Sequence, residues 1–137
     1  MGHIVVVTER PPTVSVTPEQ IRATADTYVS SLIAGDLEGV MGLYAEDATV
    51  EDPVGGGTVH EGAEAIRAFY TSVVALKIDA KVLEARVCGN DLLFNFEITT
   101  HFDEGSKATI NVWDLMTHND QGKVSSMRAY WTPANMS

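Results

Sequence analysis

The sequence predicts one α+β domain in which helices pack on one face of a mainly antiparallel β-sheet. Helical spacing of apolar residues prevails in the first half of the chain, and long alternating segments prevail from Ile78 onwards. Helices followed by a meander of strands are typical of α+β folds. The 137 residues suit one domain. Because strands of about ten residues coil, we expect a curved sheet with an apolar pocket beneath the helices.

The first helix is predicted to begin after Thr17, which can cap it, and Gln20 completes a capping box. Apolar residues then recur at helical spacing and put Tyr28 on the buried face. Gly35 ends the helix. Residues 1–16 contain two adjacent prolines, and we expect them to form a flexible or strand-like arm before a domain over residues 17–137.

A second, shorter helix is predicted to be capped by Asp36 and to run through Tyr44. Residues 48–51 predict a short strand, which ends at Asp52 because a proline follows. A third helix is predicted from about Gly62. Gly/Asn/Asp-rich turns then separate four predicted strands, at residues 78–88, 91–102, 107–117 and 123–133.

Asp114 is the strongest indication of chemistry. On strand alternation it shares a face with Ile110, Val112 and Met116. An ionised carboxylate in such surroundings needs a partner, or the group keeps its proton and becomes a hydrogen-bond donor. Arg128, on the last predicted strand, is the candidate for a salt bridge, so both alternatives remain open from the residues alone.

Other polar residues are individually ambiguous. Asp52 before a proline is common turn chemistry, but it is also suited to act as a general base beside a glycine-rich loop. Tyr28, Tyr44 and Tyr70 are each compatible with an ordinary core position. Three tyrosines on the inner faces of three predicted helices also suggest linked hydroxyls that polarise one another.

Composition restricts the partners. The formal net charge of −10 disfavours nucleic acid and anionic membranes and favours a small neutral ligand. The lone cysteine, Cys88, permits a cytoplasmic location. The N-terminal apolar run is too short for a signal peptide or a membrane span. No metal, nucleotide or flavin motif is recognisable, so no cofactor is expected.

Four segments resemble the bacterial Δ5-3-ketosteroid isomerases. They are YAEDATVEDP at residues 44–53, RAFY at 67–70, VWDLM at 112–116 and MRAYW at 127–131. The similarity begins near residue 18 and covers nearly all of the chain. It implies a cone-shaped, cystatin-like fold similar to nuclear transport factor two, and a homodimer.

The resemblance also implies roles for single residues. Asp52 matches the family's proton-shuttling base, and Tyr28 and Asp114 match the two donors of its oxyanion hole. The family is a known example of an aspartic acid kept neutral at such a position. Tyr44 and Tyr70 match tyrosines of a supporting hydrogen-bond network. The residues that match apolar or aromatic neighbours of the bound steroid are Phe94, Met116 and Trp131.

The activity implied by the resemblance is isomerisation of a 3-oxo-Δ5-steroid to the conjugated Δ4 ketone, without a cofactor. Three departures from the family concern substrate preference and turnover: the glycine-rich loop at residues 54–57, the N-terminal arm, and Asn111 at a position where an acidic residue can occur. The fold hosts many functions. A non-catalytic carrier of steroids or other apolar molecules and a polyketide cyclase-like enzyme are therefore alternatives. An epoxide hydrolase-like enzyme is disfavoured because no Asp–Arg–Asp arrangement is recognisable.

Overall fold

The computed structural model describes residues 16–137, so the predicted arm lies outside the described residues except for Val16. None of the helices described there is long and apolar enough to cross a membrane. The helices are α1 (Pro18–Ala34), α2 (Leu37–Met41) and α3 (Gly62–Val74), with a 3-10 helix at Pro133–Asn135. The strands are β1 (Tyr44–Glu51), β2 (Val59–Glu61), β3 (Lys77–Cys88), β4 (Asp91–His101), β5 (Lys107–His118) and β6 (Val124–Tyr130).

The strands form one curved, mixed sheet in the order β2-β1-β6-β5-β4-β3. All neighbours are antiparallel except β1 and β6, which pair in parallel. The helices α1 and α3 pack on one face, where the hydrophobic core lies. The α+β prediction is therefore confirmed, and the parallel pair makes the sheet mixed.

The first helix follows its sequence signals. The Thr17 side chain accepts from the backbone N–H of Gln20, and the Gln20 side chain accepts from the backbone N–H of Thr17. Gly35 ends the helix in the left-handed region, with φ of 67°, where a side chain would be strained. Both predicted ends of α1 are confirmed, and Tyr28 lies on its buried face.

The segment after α1 differs from its prediction. Asp36 caps α2 as expected, but the helix ends at Met41 and Tyr44 begins a strand. A long-range contact explains this difference, because Tyr44 pairs with Val124 of β6, far along the chain. The prediction that Tyr44 lies on a helix was therefore wrong. The short strand β2, which pairs with β1, was also missed.

Candidate active site

A cavity of about 260 Å³ lies between the helices and the concave face of the sheet. The lining residues differ in exposure: Tyr28, Tyr70 and Asp114 are buried, whereas Leu76 is 45% exposed. The polar lining residues are Tyr28, Asp52, Tyr70, Thr100, Asp114 and Trp131. The apolar lining residues are Leu32, Phe69, Val73, Leu76, Ile78, Phe96, Ile98, Ile110 and Val112. The cavity thus combines a mainly apolar lining with six polar residues, of which Tyr28, Tyr70 and Asp114 are buried.

Asp114 lies in the middle of β5, between Phe94 of β4 and Ala129 of β6. It is 1% exposed, and neither carboxyl oxygen has a hydrogen-bond partner among residues 16–137. Burial raises the pKa of this carboxyl well above its ordinary value, and the charge of Asp52 raises that pKa further. Both effects favour the protonated form of Asp114, whose O–H can donate a hydrogen bond into the cavity.

The salt bridge considered for Asp114 is not formed. Arg128 pairs in register with Leu115, one residue away from Asp114, so its side chain points to the opposite face of the sheet. There its Nε donates to Glu51 Oε1 at 3.1 Å, and its Nη1 donates to the Tyr130 hydroxyl at 2.9 Å. Of the two alternatives from the sequence, the structure therefore favours the neutral acid.

Three tyrosine hydroxyls form a buried chain. Tyr70 on α3 is in the middle, with its hydroxyl oxygen 2.9 Å from that of Tyr28 on α1 and 2.6 Å from that of Tyr44 on β1. Burial raises the pKa of all three hydroxyls well above the ordinary value, so they remain protonated. A hydroxyl that accepts a hydrogen bond becomes a stronger donor, so Tyr44 and Tyr70 can strengthen the Tyr28 donor.

Asp52 follows directly after β1 and is only partly buried. The indole N–H of Trp131 donates to Asp52 Oδ1 at 2.7 Å. Burial raises the pKa of Asp52, while the hydrogen bond from Trp131 and the neighbouring His60 lower it. The two aspartates thus differ, because Asp52 has a donor that stabilises its ionised form and Asp114 has none within the described chain.

Two residues predicted to contact a ligand lie elsewhere. Phe94 and Met116 are fully buried and are not part of the cavity lining. Phe94 instead packs edge-on against the Tyr28 ring and stacks on Phe96, which does line the cavity. Strand alternation from Asp114 contained the signal for Val112 and Ile110. The apolar lining residues of the helices (Leu32, Phe69 and Val73) and Thr100 were not predicted as site residues.

No cluster of three metal-ligating side chains occurs within residues 16–137. The cavity groups instead provide one hydrogen-bonded carboxylate and two kinds of neutral O–H donor, on Tyr28 and Asp114. A carboxylate can take a proton from a C–H group, and preorganised donors can stabilise the oxyanion that forms as a result. The arrangement is suited to proton abstraction next to a carbonyl.

The fold and the cavity define a small α+β domain built around a mainly apolar cavity that contains carboxyl and phenol groups. The model of the SnoaL-like domain matches residues 25–127. The chain is 34% identical over 118 residues to a steroid Delta-isomerase of Nocardioides simplex, a match that covers 85% of this chain and 94% of that protein. The chain belongs to the SnoaL-like domain family, and its resemblance to steroid isomerases is confirmed.

Solved structures share the fold. An epoxide hydrolase/cyclase-like enzyme with a role in pyran ring formation in the polyether salinomycin aligns with a TM-score of 0.80 at 23% identity, over 87% of this chain and 95% of that one. A Mycobacterium tuberculosis protein in complex with estradiol-17beta-hemisuccinate aligns with a TM-score of 0.78 at 24% identity, over 86% and 98%. At these identities the likeness establishes the architecture alone.

Proposed function

We propose that this protein is a steroid isomerase that converts a 3-oxo-Δ5-steroid into the conjugated Δ4 ketone. The observation that carries the proposal is the pairing, in one apolar cavity, of a hydrogen-bonded carboxylate with a buried neutral acid and a tyrosine hydroxyl. The 34% identity to a steroid Delta-isomerase supports the substrate class. The acidic chain is compatible with a small, neutral and largely apolar ligand.

In the proposed mechanism Asp52 removes a proton from the carbon between the ketone and the isolated double bond. The electrons of that C–H bond move towards the ketone, and a dienolate forms with negative charge on oxygen. Tyr28 and Asp114 donate hydrogen bonds to this oxygen. Asp52 then returns the proton two carbons further along, which gives the conjugated enone. The ketone itself delocalises the electrons, so the reaction needs no cofactor.

The remaining site residues have supporting roles in this proposal. Trp131 holds the base in position through its N–H, and Tyr70 and Tyr44 polarise the Tyr28 hydroxyl. Phe94 packs against the Tyr28 ring, and Met116 is fully buried in the core on the same strand as Asp114. Both act behind the cavity wall and keep the donors rigid.

We also propose that the protein forms a homodimer through the outer face of the sheet. Trp113 and Tyr130 pair across β5 and β6 on the face opposite the helices, and they are 37% and 38% exposed. Arg128 packs over the Tyr130 ring with its guanidinium carbon 5.5 Å from the ring centroid. Aromatic residues and arginine are enriched in protein interfaces, so a second copy of this chain is a suitable occupant.

The test is an assay of purified protein with a 3-oxo-Δ5-steroid, monitored by the ultraviolet absorbance of the conjugated product. We expect rapid formation of the enone, with no added metal or nucleotide. Protein that binds the steroid tightly but forms no enone would support the carrier alternative. Protein that neither binds nor converts it would favour a cyclase-like reaction on another carbonyl compound.

A further inference from the structure

We propose that Thr100 selects steroids that carry an oxygen function on the ring farthest from the reacting ketone. This inference rests on the proposed function and adds the recognition of the distal end of the substrate. Thr100 lies on β4 and lines the cavity, where the surrounding lining residues are Leu76, Ile78, Ile98 and Ile110. Its hydroxyl is thus a single polar group in an otherwise apolar part of the wall.

The sheet register places Thr100 away from the catalytic groups. Asp114 is opposite Phe94 on β4, and the same inward face then continues through Phe96 and Ile98 to Thr100. Six residues separate positions 94 and 100, which corresponds to about 20 Å along a straight strand at about 3.3 Å per residue. Coiling of the sheet shortens this distance.

The distance suits a substrate with one oxygen at each end. A skeleton of four fused rings with terminal oxygens spans about 10 Å, and a hydrogen bond of about 2.8 Å at each end extends this to about 16 Å. A ketone bound to Tyr28 and Asp114 therefore brings a second oxygen on ring D close to Thr100. The apolar residues between the two polar ends, including Phe96 and Ile98, face the hydrocarbon rings.

The Thr100 hydroxyl is available for such a contact. Within residues 16–137 its side chain makes no hydrogen bond, and the residue is half-buried. The adjacent Thr99 points to the opposite face of the sheet, where its hydroxyl lies 2.8 Å from that of Thr109. Thr99 therefore serves as a matched control, because its hydroxyl faces away from the cavity and interacts with Thr109.

The test compares two 3-oxo-Δ5-steroids that differ only in a ketone or a CH₂ group on ring D. One net hydrogen bond should favour the ring-D ketone by about 3- to 10-fold in kcat/KM, through KM. Thr100→Val keeps the shape but removes the hydroxyl, so we expect this ratio to fall close to one. Thr100→Ser and Thr99→Val should retain it. A ratio that Thr100→Val leaves unchanged would overturn the assignment.

A second measurement separates this inference from the isomerase proposal. Calorimetry with the two conjugated enone products gives dissociation constants that do not depend on turnover. If the protein shows no turnover but prefers the ring-D ketone, and Thr100→Val abolishes the preference, the isomerase proposal fails and the role of Thr100 stands. If the wild type and Thr100→Val show the same preference, the role of Thr100 is refuted. If the wild type binds neither product, the isomerase proposal and the role of Thr100 are both refuted.

Discussion

The region around Asp52 and the region around Asp114 present the same carboxyl group in different surroundings. Asp52 follows the end of β1, is partly accessible and accepts a hydrogen bond from Trp131. Asp114 lies in the middle of β5, is sealed from solvent, and has no hydrogen-bond partner among residues 16–137. The pKa of Asp52 is raised by burial and lowered by its donor, whereas the pKa of Asp114 is raised by burial and by the charge of Asp52.

This difference shows how the fold can assign opposite tasks to identical side chains. A strand end gives a carboxylate access to water and to donors, while a strand centre facing a core removes both. The two groups also reinforce one another, because a charge on Asp52 makes a second charge on Asp114 more costly. Ionisation is thus less costly at Asp52 than at Asp114.

Replacing the base should have the largest effect. Asp52→Asn preserves size but removes the proton acceptor, so we expect kcat to fall by about 10²–10⁴-fold. Binding of the conjugated product should change little. Asp47→Asn is a matched control, since it removes an exposed aspartate from the same strand. Full activity of Asp52→Asn in the ultraviolet assay would show that the base is another group.

Replacing the neutral acid should have a smaller effect that depends on the substitute. Asp114→Ala removes a donor to the developing oxyanion and should lower kcat by about 10²–10³-fold. Asp114→Asn should be milder, because an amide N–H still donates a hydrogen bond. Steady-state kinetics of both variants make the comparison. Equal losses would argue that Asp114 does not act as a donor.

Removing the donor to Asp52 should have the smallest effect and should alter pH dependence. Trp131→Phe deletes a hydrogen bond that stabilises the ionised carboxylate, so the pKa of Asp52 should rise. Because the base must be ionised, the acid limb of the kcat/KM profile should move to higher pH. At pH values well above this limb, kcat/KM of the variant should be only a few-fold lower than that of the wild type. A limb that stays in place would mean that another group controls it.

Much of the fold was predictable because it depends on local signals. The cap at Thr17, the stop at Gly35 and the turns between the long strands are encoded by neighbouring residues. The prediction of a helix through Tyr44 was wrong because Tyr44 belongs to a strand. It pairs with Val124 of β6, some eighty positions later in the chain. Local periodicity contains no information about such pairing.

The site was predictable to a different extent. An acid on an apolar strand face is a local anomaly, so Asp114 was identifiable from alternation, with its protonation left open. Excluding Arg128 as its partner needed the register between β5 and β6. The placement of Phe94 and Met116 behind the wall, and of Thr100 on it, depends on the curvature of the sheet and the position of the helices, which no single segment encodes.

The parallel pairing of β1 with β6 has a consequence for the order of assembly during synthesis. Asp52 leaves the ribosome before Trp131, the residue that donates a hydrogen bond to it, which is 79 residues further along the chain. Strand β1 can therefore dock against its parallel partner only after β6 has emerged. A nascent chain that stops short of β6 contains Asp52, Tyr28 and Asp114 but lacks the strand that lies between β1 and β5 in the sheet. Competence should consequently appear in a single step once β6 has emerged and should not grow gradually with chain length.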